Sequence, residues 1–268
     1  MPAGTVIRLS SPATSESWEI PVVHEDEHLL AVDKPARLLA SPDSHDPNLP
    51  NLMRLLHDGI AQGATWAKQR NLTYLASAHR LDFETSGVLL LAKTKPALIA
   101  LANEFGTNKP AKTYVTLTRG TPTEPEFTVD APVGEQTRQP GLMRIDTQGG
   151  KKSITQFKVI EQFRGFTLLH CHPLTDRTHQ IRVHLRSVGL HVVGDETYTG
   201  KPLYLSQIKS SYRPKLNETE RPLMGRVALH AERLEVKHPA TGEPVVITAE
   251  WPKDLRVAVK YLRMFSGL

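Results

Sequence analysis

Residues 79–92 read HRLDFETSGVLLLA and combine two unlike patterns in one short stretch. The apolar run from Gly87 to Ala92 is short and uninterrupted, which predicts a β-strand buried on both faces. Just before it, His79, Arg80 and Asp82 place three ionisable side chains within four positions. Functional side chains often lie on loops that a rigid scaffold holds in place. We therefore take Asp82 as the candidate catalytic carboxylate.

The position of Asp82 allows two interpretations. To act as a nucleophile or base beside an apolar strand, Asp82 must stay ionised, which requires hydrogen bonds and a nearby cation, ideally an arginine. Alternatively, its carboxylate only caps a turn by accepting hydrogen bonds from the amides of Thr85 and Ser86, with Arg80 in a surface ion pair. The loop by itself does not decide between the two.

Outward from this stretch, the patterns predict an α+β protein. The predicted elements are a hairpin at 22–35, helices at 52–60 and 96–106, a strand at 112–118, and further strand pairs within 153–172 and 226–249. Strands outnumber helices, and many follow one another as hairpins. We therefore expect a mixed, largely antiparallel sheet with flanking helices, and not a doubly wound parallel sheet.

Composition indicates the kind of binding partner and the cellular compartment. The 268 residues carry 33 lysines and arginines against 28 aspartates and glutamates, a formal charge of +5, which suits a polyanionic partner. The single cysteine, Cys171, can form neither an internal disulfide nor a cysteine zinc site, so a reducing cytoplasm is expected. Apolar runs such as residues 88–92 are far shorter than the ~20 residues of a membrane span. Neither export nor a membrane anchor is expected.

Residues 173–189 form a second region rich in charge. Ile181, Leu185 and Val188 recur at i, i+4 and i+7, which predicts a helix with these side chains toward the core. Suitable polar residues precede this pattern, and a glycine follows it. The expected boundary residues are Asp176 or Thr178 at the start and Gly189 at the end.

A neighbouring face of the same predicted helix is basic. His179, Arg182 and Arg186 are spaced at i, i+3 and i+7, so the imidazole and the two guanidiniums share one side. Such a face is either a solvated basic surface or a binding site for an anion. Both interpretations stay open on spacing alone.

Two other stretches combine cations with features that suit RNA. Lys151 and Lys152 follow two glycines, and residues 200–216 carry cations without any acid, interleaved with tyrosines. Cations that meet phosphates and rings that stack on bases suit RNA, although a mobile, solvated loop explains the second stretch equally well. Its cations are Lys201, Lys209, Arg213 and Lys215, and its rings are Tyr204 and Tyr212.

Other kinds of site are disfavoured by spacing. Among the twelve histidines, His179 and His184 would lie about 140° apart around a helix, and His170 and His172 fall on a predicted strand without neighbouring carboxylates. We therefore expect no metal. Although residues 79–82 are similar to a kinase catalytic loop, the glycine-rich loop and the Asp-Phe-Gly motif of kinases are missing.

Residues 79–93 resemble the signature of RluA-type RNA pseudouridine synthases, with Asp82 at the position of that family's catalytic aspartate. Four further blocks agree in order along the chain. They are Asp33-Lys34-Pro35 in the opening hairpin, Lys112-Thr113-Tyr114, residues 177–185 with Gly194-Asp195 and Tyr198, and a closing hairpin from Leu229 to Glu243. Five ordered motifs are far more specific than any one of them.

The resemblance implies the pseudouridine synthase fold, a mixed sheet with a central active-site cleft into which a flipped uridine enters. By the same resemblance, Asp82 would attack or deprotonate the target nucleotide. Tyr114 would pack under its base and help to remove the C5 proton, and Arg182 would pair with Asp82 and keep it charged. The reaction exchanges the N1 glycosidic bond of uracil for a bond to C5, an isomerisation that uses no cofactor and no metal.

The implied partner is RNA, either ribosomal or transfer RNA, and we expect a monomeric, cytoplasmic enzyme that binds no membrane. Arg80 would fill the space that the flipped base leaves or hold the flanking backbone. The residues expected to contact RNA are His79, Arg80, Lys112, Lys151, Lys152, Arg177, His179, Arg186, Lys209 and Arg213.

The sequence departs from the family pattern at two places outside the catalytic residues. Where relatives commonly have glycine, this chain has Asp176 and Arg37. The first change affects the turn before the helix, although aspartate tolerates a left-handed backbone. Many relatives also carry an N-terminal S4-type RNA-binding domain. Here we expect residues 1–21 to be a short extension without that domain and residues 22–268 to be the catalytic domain.

Two rival functions belong to other classes. A non-catalytic RNA-binding or ribosome-assembly protein could retain this fold, but the presence of Asp82, Tyr114 and Arg182 argues against it. A metal-dependent hydrolase would have to use the histidines, whose spacing does not supply the ligand geometry.

Overall fold

The computed structural model describes residues 6–42, 49–107, 110–213 and 219–268. The chain divides into two compact units. The first unit comprises Met1–Lys112 and Ala231–Glu250, and the second unit comprises Thr113–His230 and Trp251–Leu268. Among the described residues, no helix combines the length and the apolar character that crossing a bilayer requires.

Short strands and a few helices make up both units. The strands are, in chain order, β1 (Val6–Ser11), β2 (Glu16–Glu25), β3 (Leu29–Lys34), β4 (Ala76–Ser77), β5 (Ser86–Ala92), β6 (Ala111–Arg119), β7 (Glu126–Asp130), β8 (Val133–Glu135), β9 (Met143–Ile145), β10 (Ile154–Phe163), β11 (Phe166–Pro173), β12 (His191–Val192), β13 (Leu229–Lys237) and β14 (Pro244–Thr248). The α-helices are α1 (Leu52–Ala61), α2 (Thr65–Gln69), α3 (Lys95–Gly106), α4 (Gln180–Ser187) and α5 (Lys253–Phe265). This content confirms the α+β prediction.

The first unit is built on antiparallel strands in the order β1-β2-β3-β5, with β4 also pairing with β5 and β14 with β13. The hairpin predicted at 22–35 is confirmed as β2 and β3. It is preceded by a hairpin that we did not predict, in which β1 pairs with β2 from Val6 opposite Pro21 to Ser11 opposite Glu16. Strand β2 therefore runs through residue 21, where we placed the end of the extension.

Strand β5 is the buried strand predicted from the apolar run. All seven of its residues are buried, so both of its faces are covered. Val88 and Leu90 pack in one apolar cluster with Ala97 and Leu101 of α3. Gly87 has φ +114°, and a side chain there would collide with the backbone of Ala231, so only glycine is accommodated where the Asp82 loop joins the strand.

The second unit contains antiparallel strands in the order β6-β11-β10-β7, with β12 also pairing with β6 and β8 pairing with β9 in a separate ribbon. The hairpin predicted within 153–172 is confirmed as β10 and β11, which turn at Gly165 with φ +74°. Ile181 and Leu185 of α4 join the apolar core of this unit, as do Leu255 and Leu262 of α5.

Helix α4 begins later than predicted, whereas Gly189, with φ 76°, directly follows the C-cap residue Val188 and ends the helix as predicted. The residue at its N-cap is His179, in the left-handed conformation with φ 54°, so the predicted cap by Asp176 or Thr178 is wrong. The helix ends at Ser187, and Val188 beyond it is 46% exposed, so placing Val188 in the core was also wrong. Because the helix stops one residue before Val188, that side chain leaves the apolar stripe.

Candidate active site

Asp82 is half-buried on the loop between β4 and β5. Its backbone is held by neighbours that are almost fully buried, since Leu81 is 6% exposed and Thr85 is 2% exposed. The amide of Thr85 donates a hydrogen bond to the backbone carbonyl of Asp82 at 3.1 Å, which closes a turn. The backbone of the turn is thus closed by a main-chain hydrogen bond, and the catalytic role of the Asp82 carboxylate stays a prediction.

His79 anchors the start of this loop to β5. Its Nε2 accepts a hydrogen bond from the amide of Leu90 at 3.1 Å. Its ring stacks on Phe105 with the centroids 5.0 Å apart and the planes 15° from parallel. These contacts give His79 a structural role, and RNA binding by this ring stays a prediction.

A second segment of the first unit fixes the other side of the loop. The amide of Arg37 donates to the carbonyl of Phe83 at 2.7 Å, and the Arg37 guanidinium lies 3.5 Å from the Glu84 carboxylate. The buried Lys34 holds this segment in shape by donating from Nζ to the carbonyls of Pro35 and Leu38, both at 2.8 Å. Arg37 has φ 62°, a left-handed backbone that favours glycine. This conformation explains why relatives commonly have glycine at this position.

Two exposed side chains flank Asp82. Arg80 and Phe83 are both exposed, and Phe83 is 45% exposed. All seven phenylalanines lie in the described ranges, and the other six are buried or half-buried. An exposed aromatic ring next to Asp82 in the chain suits stacking on a nucleobase. We did not assign a function to Phe83 from the sequence, although its place directly after Asp82 was the available signal.

Lys112 and Tyr114 lie two residues apart on β6. Lys112 is 9% exposed, and its Nζ lies 5.5 Å from the centre of the Phe105 ring, which is a cation–π contact. Phe105 therefore contacts both His79 and Lys112, two residues predicted to bind RNA. Tyr114 belongs to the second unit, where it lies opposite Cys171 on β11 and packs half-buried against the core.

Arg182 forms a buried ion pair that the sequence did not reveal. Its Nε donates to Asp195 Oδ2 at 2.6 Å, and its Nη2 donates to Asp195 Oδ1 at 2.7 Å. The Arg182 side chain is 5% exposed and that of Asp195 is 1% exposed. Arg182 is therefore not part of a solvated basic face. Asp195 belongs to one of the sequence motifs, but the sequence did not predict its partner.

Tyr198 completes this cluster in the second unit. The Arg182 guanidinium lies 4.8 Å from the centre of the Tyr198 ring, and the Tyr198 hydroxyl lies 2.9 Å from Nδ1 of His179. The Tyr198 amide donates to Asp195 Oδ1 at 3.3 Å. His179, predicted to contact RNA, is thus joined to Arg182 through the Tyr198 side chain.

His184 is a core histidine. Its Nε2 donates to the carbonyl of Ala131, and its Nδ1 pairs with the hydroxyl of Thr155, both at 2.9 Å. Burial lowers the pKa of His184 below the ordinary value, so the ring is neutral at physiological pH. Both ring nitrogens have protein partners, which leaves neither for a metal ion.

The other predicted RNA contacts lie in the second unit and vary in exposure. Lys151, Lys152 and Arg186 are exposed. Lys209 has its Nζ 5.0 Å from the Phe265 ring, and Arg213 donates from Nη1 to the carbonyls of Ser210 and Tyr212 at 2.9 Å. Arg177 is half-buried, and its Nε is a buried donor without a hydrogen-bond partner among the described residues. Lys215 lies outside the described residues.

The structure thus places the predicted residues in two groups. The first unit holds Asp82 with His79, Arg80 and Lys112, and the second unit holds Arg182 with His179 and Tyr114. The contacts described above for each group lie within its own unit. The pairing of Asp82 with Arg182 stays a prediction.

Known proteins identify the class to which this fold and these motifs belong. Residues 28–187 match the family model described as RNA pseudouridylate synthase. The human proteins RNA pseudouridylate synthase domain containing 4 and domain containing 1 superpose with TM-scores of 0.69 and 0.61. The first is 23% identical and is matched over 90% of this chain and 92% of its own; the second is 24% identical, over 93% and 96%. These structures confirm the predicted pseudouridine synthase fold.

Sequence relatives agree with the family match. The chain is 33% identical to ribosomal large subunit pseudouridine synthase D of Zymomonas mobilis, over 96% of this chain and 77% of the relative. It is 34% identical to ribosomal large subunit pseudouridine synthase C of Salmonella typhi, over 90% of this chain and 70% of the relative. The chain belongs to the RNA pseudouridine synthase family. Its reaction class is therefore an isomerisation that converts uridine in RNA to pseudouridine.

Proposed function

We propose that this enzyme modifies ribosomal RNA and that Asp82 is its catalytic carboxylate. The first part is supported by relatives such as the Zymomonas mobilis and Salmonella typhi proteins, whose names specify the large ribosomal subunit. The second part is supported chiefly by the position of Asp82. It is half-buried, on a loop whose backbone is fixed by buried neighbours directly before a fully buried strand.

In the proposed mechanism, the target uridine leaves the RNA stack, and Asp82 attacks or deprotonates it. The bond between the ribose and N1 of uracil breaks, the base turns, and a new bond forms to C5, from which a proton is lost. Tyr114 packs under the base and helps to remove that proton. All atoms of the uridine are retained apart from exchanged protons, so no cofactor or metal is needed for balance.

Arg182 would keep the Asp82 carboxylate ionised. A guanidinium is planar and has more than one donor edge. Asp195 accepts from Nε and Nη2 of Arg182 and so holds the guanidinium in one orientation. Asp195 would then orient Arg182 while Arg182 orients Asp82.

The surrounding cations would hold the RNA backbone. Arg177 supports this proposal best, because an unsatisfied buried donor is costly and a phosphate oxygen would satisfy its Nε. The exposed Lys151, Lys152 and Arg186 can reach a polyanion without rearrangement of the core, and Arg80 is exposed as well. We further propose that residues 22–268 form the catalytic domain, that the enzyme acts as a monomer and that it works in the cytoplasm.

The substrate class is tested by release of tritium from C5 of uracil. The purified enzyme is incubated with large-subunit ribosomal RNA and with transfer RNA, each transcribed in vitro with uridine tritiated at C5. We expect release from the ribosomal RNA. Release from transfer RNA alone would contradict the substrate assignment, and release from neither would favour the non-catalytic RNA-binding protein.

A further inference from the structure

Helix α5 carries a row of four cations that are not among the residues assigned above to RNA binding. These residues follow at i, i+3, i+7 and i+10, and all four are exposed. At about 100° per residue they fall within about 80° of the helix circumference, and the row is about 15 Å long. The opposite side packs into the core of the second unit. The cations are Lys253, Arg256, Lys260 and Arg263, and the buried residues are Leu255, Ala258, Val259 and Leu262.

The charges of this row are mostly unmatched. Arg263 pairs with Glu161 at 2.7 Å, and the acid within the helix, Asp254, is held by Arg226 at 2.7 Å. Among the residues that the structure describes, Lys253, Arg256 and Lys260 have neither an ion-pair partner nor a side-chain hydrogen bond. We call these three residues the α5 basic face.

The stability of the helix does not explain the α5 basic face. Lys253 and Arg256 lie in the first turn, where the helix dipole disfavours positive charge. Arg256 and Lys260 are like charges at i and i+4, which also destabilises a helix. A bound polyanion would offset both effects.

We propose that the α5 basic face binds the phosphate backbone of the RNA substrate. This proposal rests on the RNA substrate of the enzyme. The positive charge of the α5 basic face complements a row of phosphates. Because the face is exposed, RNA can reach it without rearrangement of the core.

The test compares two triple variants that lose the same charge. One variant carries Lys253→Gln, Arg256→Gln and Lys260→Gln. The control carries Lys68→Gln, Lys95→Gln and Lys237→Gln, three exposed lysines of the first unit. Filter binding of in vitro transcribed large-subunit ribosomal RNA is measured across a potassium chloride series. We expect the logarithmic salt slope of the α5 variant to be shallower by about 2 to 3 than that of the wild type, and that of the control to change by less than about 1.

Several outcomes separate this proposal from its alternatives. A third variant, Lys253→Arg, Arg256→Lys and Lys260→Arg, keeps the charge and should keep the wild-type slope. Equal slopes for the α5 variant and the control overturn the proposal. The proposal is also overturned if the α5 variant keeps the wild-type RNA slope but no longer binds phosphatidylserine vesicles. That result would assign the face to lipid. Tritium release by the wild-type enzyme is followed in parallel: its absence alongside a changed slope contradicts the proposed function and leaves the surface supported.

Discussion

Asp195 accepts hydrogen bonds from both Nε and Nη2 of Arg182, and both side chains are almost completely buried. The guanidinium of α4 is therefore oriented by a residue that lies outside its helix. Tyr198 packs against the same guanidinium and donates its amide to the same carboxylate. The orientation of Arg182 is thus a property of the second unit itself.

Replacing Asp195 with alanine should destabilise the protein strongly. The change leaves the Arg182 charge buried without its partner, which costs about 3–5 kcal/mol. Urea unfolding measures the loss. Glu161→Ala is the matched control, because Glu161 also accepts from Nε and Nη2 of an arginine, but that arginine, Arg263, has a side chain that is 56% exposed. We expect it to cost about 1 kcal/mol, and equal losses for the two variants would contradict this view of the Arg182 pair.

Replacing Arg37 with glycine should stabilise the protein slightly. A left-handed backbone costs a residue with a β-carbon about 1–2 kcal/mol, whereas glycine loses about 0.5–1 kcal/mol in entropy. The ion pair with Glu84 is long, at 3.5 Å, and the Arg37 side chain is 61% exposed, so the loss of the pair should matter little. Arg37→Ala removes the same ion pair but keeps the β-carbon, and it should give no gain. A gain in thermal stability with alanine as large as with glycine would show that the backbone conformation is not the cause.

The stability of the protein should depend on pH through His184. Burial lowers the pKa of His184 below 6.5, so the folded state takes up a proton less readily than the unfolded state. Its contribution is fully present above the unfolded pKa and is lost as the pH falls below about 6.5. His184→Gln removes this titration. The difference in unfolding free energy between the wild type and this variant should therefore shrink between about pH 8 and pH 5.5, and a constant difference would contradict the prediction.

The sequence predicts the fold of this protein well where patterns are local. The apolar run of β5 is long enough to specify a buried strand, and the glycine turn between β10 and β11 specifies a hairpin. Strand β1 was missed although Ile7 and Leu9 alternate with exposed residues. Helix α4 and its end at Gly189 were predicted correctly, but its start depends on the backbone angle at His179, which helical spacing does not encode.

The site is predicted less completely because its contacts are tertiary. Helical spacing shows that Arg182 and His179 share a side, but it does not show that Asp195 and Tyr198 will meet them there. Likewise, the left-handed backbone of Arg37 is visible only as a departure from a glycine in relatives. Motifs therefore supplied the candidate residues of the site, whose roles stay predictions, whereas the partners of these residues are seen only in the packing of each unit.

The most direct measurement is the single-turnover rate of tritium release by Asp82→Asn. The wild-type enzyme and the variant are each saturated with large-subunit ribosomal RNA tritiated at C5 of uracil. Filter binding confirms that the two bind this RNA equally well. If Asp82 is the catalytic carboxylate, the variant should be slower by about 1,000-fold or more. A variant that releases tritium at the wild-type rate would contradict the assignment of Asp82.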